Sequence, residues 1–143
     1  MSGIEKLFSG MRASSTGLAA ERVRMDVIAE NIANAQTTRT PEGGPYRRKI
    51  VRFEPLLLEA AGRPFETLGV RPSAVEADRL TPFGILHEPG HPDADARGFV
   101  RYPNVNTVME MTDLITAMRA YEANLAVQQG FFQMAERALQ LAR

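Results

Sequence analysis

The sequence predicts an α+β chain in which long N- and C-terminal helices pair as a coiled-coil-like bundle around a small β-rich middle segment. Three observations carry that expectation. All nine prolines fall between Pro41 and Pro103, both ends carry apolar residues at helical spacing, and the middle holds short β-prone runs between turn residues. The expected division is 1–36 as an N-terminal helical assembly segment, 37–104 as the β- and turn-rich middle, and 105–143 as a C-terminal helical assembly segment.

The first segment opens on Ser2-Gly-Ile-Glu5, a capping-box pattern that starts a helix near Gly3. Ile4, Leu7, Met11, Leu18, Met25, Ile28 and Ile32 then follow a three-four spacing broken by Ser14 and Glu21. A helix of roughly 30 residues is about 45 Å long, more than the middle of this chain can cover, so part of the stripe is expected to face another chain. Gly3, Gly10 and Gly17 recur one heptad apart, and each interior glycine costs about 1 kcal/mol relative to alanine. Two readings follow: folding of this stretch on assembly, or close approach of a neighbouring helix.

The last segment repeats the pattern. Thr107-Val-Met-Glu110 is a second capping-box candidate, and Met111, Leu114, Met118, Tyr121, Leu125, Phe132 and Leu139 share one face of a helix expected to reach Ala142. Gln128 and Gly130 mark a point of local weakness. The methionines in the stripe, Met111 and Met118, suit an adaptable contact or ordinary core filling.

In the middle, the expected strands are 50–53, 69–75, 84–86 and 99–102, limited by prolines such as Pro55 and Pro72. Pro41-Glu-Gly-Gly-Pro45 is a loop signal. The basic run Arg47-Arg48-Lys49 with Arg52 reads as a solvated strand face or as a docking patch for an acidic partner.

Composition narrows the function. Lys plus Arg and Asp plus Glu each number 17, so bulk charge calls for neither nucleic acid nor an anionic membrane. With no cysteine, thiolate chemistry, disulfides and zinc-thiolate sites are excluded. No apolar run is long enough to insert in a membrane, and the start lacks the pattern of a cleaved signal peptide. The cluster His87-Glu-Pro-Gly-His91-Pro-Asp93-Ala-Asp95 offers metal-ligand residue types. However, Pro89 and Gly90 forbid the helix that a His-Glu-x-x-His site needs. Catalytic, cofactor and metal sites are therefore all expected to be none, and an assembly subunit fits better than an enzyme. A cytoplasmic helical adaptor or chaperone is the alternative, and a metal-dependent hydrolase ranks far behind.

Ala29-Glu-Asn31-Ile-Ala-Asn34-Ala-Gln-Thr37 resembles the asparagine-rich motif of the bacterial flagellar axial proteins, the rod and hook subunits. The stretches Thr37 to Arg48, Pro89 to Asp95, Gly98 to Asn106 and Arg119-Ala-Tyr-Glu-Ala-Asn124 are similar to rod subunits in particular. The chain departs at Glu30 and Gln36, where that family more often has asparagine. The resemblance implies a structural subunit of the flagellar basal-body rod, exported through the flagellar type III apparatus. It implies assembly with other rod proteins and with copies of itself into a periplasm-crossing rod that transmits torque. The implied assembly residues are Ile4, Leu7, Met11, Leu18, Met25, Ile28, Asn31, Ile32, Asn34, Met111, Leu114, Met118, Tyr121, Leu125 and Phe132. Asn31 and Asn34 would close the first helix or bond across subunits, since asparagine tolerates the left-handed conformation.

Overall fold

A computed structural model describes the backbone of residues 3–58 and 66–141 and the side chains of 9–57 and 69–140. The order is α1 (Gly3–Ala33), β1 (Lys49–Leu58), β2 (Glu66–Ala77), β3 (Gly84–His87), β4 (Phe99–Tyr102) and α2 (Thr107–Leu141). Two long helices thus flank a β middle, as the proline distribution and the two stripes predict. The Ser2 cap, the side chains of Ile4 and Leu7 and the helix end at Ala142 lie outside the described residues.

The helices pack side by side and antiparallel. An ideal Cβ on Gly10 would meet Phe131 Cζ at 2.9 Å, one on Gly17 would meet Asn124 Nδ2 at 3.1 Å, and Asn31 bonds Glu110. Seven residues along α1 are thus matched by seven along α2, and the next fourteen by fourteen, which is a heptad seam. The same step brings fully buried Ala117 abreast of Arg24. Gly10 and Gly17 are therefore used for close approach, the second of the two readings open to them. Helix α2 runs unbroken through Gln128 and Gly130.

β1 and β2 form a two-stranded antiparallel hairpin with Val51 opposite Val75 and Lys49 opposite Ala77, shifted in register between Arg52 and Phe53 and between Leu56 and Leu57. Pro55 and Pro72 lie inside these strands instead of ending them. In a sheet of two strands each has a free edge, where a residue without an N–H costs no ladder bond. Pro72 also sits beside the first register shift, where Ser73 is left over and its hydroxyl donates to Arg52 O at 3.2 Å. The hairpin crosses α1 at Gly69, whose φ of +144° and closeness to Thr16 leave no room for a side chain. Val70 N–H donates to Thr16 Oγ1 at 3.3 Å.

β3 and β4 form a second small hairpin with Gly84 opposite Tyr102. Buried apolar side chains among the described residues are few: Ala20, Val27, Ile28, Tyr46, Val100 and Ala117. Ala20, Val27 and Ile28 lie on α1 and Ala117 on α2, where the two helices pack on one another, whereas Val100 lies on β4 of the second hairpin. Further out, every described α2 residue after Phe131 is exposed.

Candidate assembly surface and the polar clasp that orients it

A buried polar cluster holds the two helices and the hairpin in one arrangement. Asn31, 1 % exposed, sits near the C-terminus of α1. Its Nδ2 donates to Lys49 O at 2.9 Å and to Glu110 Oε2 at 3.0 Å. Its Oδ1 accepts from Lys49 N–H at 2.8 Å and from the Tyr46 hydroxyl at 2.9 Å. Both donors and both lone pairs of the amide are thus used. Toward Lys49 the amide pairs with backbone N–H and C=O together, as a neighbouring strand would. This stitches α1 to the start of β1.

Glu110 is equally buried and belongs to the first turn of α2. Its Oε1 accepts from Arg48 Nε at 2.5 Å. Arg48 also reaches toward Asp78 at 4.0 Å and Asp113 at 3.8 Å, while its backbone N–H donates to Asn104 Oδ1 at 2.8 Å. Asn104 in turn donates to the carbonyls of Asp78 and Thr81, each at 3.1 Å. A carboxylate this deep in the protein needs a paired cation and full hydrogen bonding, and here it has both. Burial, followed by the negative charges of Glu30 and Glu110, pushes the Tyr46 phenol up to about 12. It stays protonated and donates. Hydrogen bonds from Thr81, first from its hydroxyl, hold the Asp78 carboxyl below the usual carboxylate range.

Several expectations are corrected here. Glu110 does not close a capping box on Thr107. Asn106 is the cap, its Oδ1 accepting from Val108 N–H at 3.1 Å and Met109 N–H at 3.2 Å, and Glu110 is turned inward. The basic run is not a free patch. Arg48 is in the clasp, Lys49 pairs with Glu30, Arg52 bonds Glu76 at 2.8 Å, and Arg47 lies over the Phe83 ring at 4.1 Å while donating to Asp78 O. Asn34 closes α1 by donating from Nδ2 to Glu30 O at 3.0 Å and accepting from Thr37 Oγ1 at 3.2 Å. No described residue other than glycine has positive φ, so the left-handed conformation expected of the asparagines is not used.

The His87 to Asp95 loop is committed locally. Asp95 Oδ1 accepts from the backbone N–H of Arg97 and Phe99, and Asp93 accepts from Thr38 and pairs with Arg39. His91 Nδ1 accepts from Asp93 N–H. Among the described residues no three His, Asp or Glu side chains are placed to hold a metal ion together.

The expected assembly residues separate into two groups. Ile28 and Asn31 are turned inside the chain, and for these two the expectation narrows to internal packing. Met11, Leu18, Met25, Ile32, Asn34, Leu114 and Tyr121 are half-buried along the seam's edges. Met111, Met118, Leu125 and Phe132 stand open at 50, 47, 39 and 60 % exposure, with Ile115 and Leu139 beside them. These four, with Leu139, recur every seven residues, one position on from the inner row of Glu110, Ala117, Asn124 and Phe131. No described strand packs on α2, so this row has no cover among the described residues. Among the described residues no helix is long and apolar enough to cross a membrane.

Paired terminal helices, a small β middle and an uncovered apolar row define a protein built for assembly, and comparison with known families agrees. The family model described as "Flagella basal body rod protein" matches residues 11–39, and "Flagellar basal body rod FlgEFG protein C-terminal" matches 96–141. The chain belongs to the flagellar basal-body rod proteins. Within them it is similar to proteins named flagellar basal-body rod protein FlgC. That of Borreliella burgdorferi is 46 % identical over 85 % of this chain and 88 % of its own length. That of Bacillus subtilis is 35 % identical over 95 % and 98 %, and that of Salmonella typhimurium 40 % identical over 80 % and 81 %.

Proposed function

We propose that this chain is a structural subunit of the bacterial flagellar basal-body rod, built into it through the outward faces of its terminal helices. The observation that carries this reading is the α2 row of Met111, Met118, Leu125 and Phe132, which is apolar, regular and uncovered. Exposed rows of this length mark contact sites on proteins that work in assemblies. Relatives matched over most of their length are rod proteins, which supports the same role here and disfavours the helical adaptor.

In this reading residues 1–36 and 105–143 enter the rod wall and 37–104 faces neighbouring subunits. Ile4 and Leu7 belong to the same proposed assembly set. Many modest apolar contacts at about 25 cal/mol per Å², repeated along the lattice, make a wall stiff enough to transmit torque. Passage through the flagellar type III apparatus as an unfolded chain suits the small core, which leaves little to unfold. The subunit carries out no reaction and needs no cofactor.

The test is genetic and direct. A strain lacking this chain should be non-motile with no completed rod, and the wild-type copy should restore both and be found in purified basal bodies. Recovery of the chain only from the cytoplasm would return weight to the adaptor reading.

A further inference from the structure

We propose that a basic cleft at the open end of the first hairpin binds an extended, acidic segment of a different protein, which in the rod reading above is a subunit of another kind. The cleft has a volume of about 920 Å³ and is lined by the Pro41 to Pro45 loop, by Val75 and Ala77 of β2, and by Phe83 with Arg47 and Arg101. Alternation along β4 turns Val100 into the interior and Arg101 outward. The Arg101 guanidinium lies over the Phe83 ring at 5.0 Å, and that of Arg47 lies over the same ring at 4.1 Å. Arg47 donates to the neutral Asp78 carbonyl, and among the described residues neither arginine pairs with a carboxylate. Two like charges held on one ring without a counterion make a site that a carboxylate fits.

The loop supplies the rest of the recognition. Thr40 N–H donates to Gly44 O at 2.8 Å and Gly43 N–H to Thr40 O at 2.9 Å, while among the described residues the exposed Gly44 N–H has no partner. Gly43 and Gly44 have φ of +91° and +77°, and a Cβ on either would meet nothing within 4 Å. The turn thus demands glycine and leaves bare backbone at the cleft. A ligand that gives a carboxylate to the arginines and a carbonyl to Gly44 needs free backbone, which an extended segment has and the interior of a helix does not. Exposed Val75 and the Phe83 ring suit an apolar side chain next to the acidic one. Among the described residues outside the helices, a second copy of this chain offers no such segment. Glu54, Glu76, Asp78, Glu88, Asp93 and Asp95 each bond within the chain, and Glu42 stands on the cleft's own loop. Two free guanidiniums on a chain of zero net charge are too few to grip a phosphate backbone, which favours protein over nucleic acid.

Fluorescence anisotropy of the purified full-length chain with a labelled peptide of alternating aspartate and leucine should show binding that weakens with added salt. Arg101→Glu should weaken it about tenfold at an unchanged melting temperature, and Arg79→Glu, at an exposed arginine outside the cleft, should leave it unchanged. Equal affinity for the peptide with lysine in place of aspartate, or tighter binding of a short oligothymidylate, would overturn the acidic ligand. In purified basal bodies, a photo-crosslinking residue in place of Val75 should join the chain to a protein of different sequence through a peptide containing aspartate or glutamate. Attachment only to another copy of this chain, or none while the chain is present in the basal body, would overturn the proposal and leave the rod reading intact. Absence of the chain from basal bodies while the acidic peptide still binds would instead remove the rod reading and leave the cleft's ligand class standing.

Discussion

Asn31 and Glu110, 79 positions apart, meet in the interior through a 3.0 Å hydrogen bond from Asn31 Nδ2 to Glu110 Oε2, each residue 1 % exposed. One belongs to the last turns of α1 and the other to the first turn of α2. Their contact therefore sets the antiparallel register of the two helices, and with it the direction in which the apolar row of α2 faces. Buried polar pairs in helical seams commonly fix register in this way.

Removing the carboxylate should be costly. Glu110→Ala leaves Arg48 without its closest partner and one Asn31 donor unpaired, and a loss of about 3 kcal/mol is expected. Urea unfolding of the purified chain measures it. A loss below about 1 kcal/mol would mean that water replaces the carboxylate without penalty.

Tyr46 ties stability to alkaline pH. Its folded value is raised to about 12 from the usual value of about 10, so the protonated phenol favours the folded state. That contribution is complete below about pH 10 and is lost as pH rises through about 12. The melting temperature should fall across that window, and the fall should be shallower in Tyr46→Phe.

Asp78 acts at the other end of the scale. Its carboxyl is held low by Thr81, so its contribution is present above the ordinary carboxylate value and disappears as pH drops through the folded value. Thr81→Ala should move the acid-unfolding midpoint to higher pH, as read by circular dichroism.

Gly69 permits the hairpin to cross α1. A side chain there meets Thr16 and must also adopt a φ of +144°. Gly69→Ala should destabilise by more than about 1 kcal/mol, and Thr16→Gly should recover only the steric part, because the backbone strain remains.

Met118→Asp touches the exposed row and leaves the interior intact. Its folding stability should change by less than about 0.5 kcal/mol, while motility is lost because a charge would be buried between subunits. Thermal melting and swarming assays separate the two effects.

Much of this architecture was legible in the sequence. Proline-free ends with heptad stripes read correctly as long helices, and two of the strands, β3 and β4, fall within a residue of expectation. The phase of the seam was not legible. A stripe such as Met111, Met118, Leu125 and Phe132 reads as the face that packs, yet the adjacent row of Glu110, Ala117, Asn124 and Phe131 packs internally. That row took the place because Asn31, Gly17 and Gly10 make room in turn for Glu110, Asn124 and Phe131, and such pairing lies across the whole length of the chain. Glu110 was misread for the same reason: three residues after Thr107 it fits a local cap, and only the fold brings Arg48 and Asn31 to it. Pro55 and Pro72 looked like strand ends because a proline in a central strand would be one, and nothing local shows that this sheet has only two strands.

The most direct measurement places a single cysteine at Met118 in this cysteine-free chain and follows maleimide labelling in the free subunit and in purified basal bodies. Rapid labelling of the free chain with strong protection in the basal body is expected if the α2 row is an assembly surface. Equal labelling in both would contradict it.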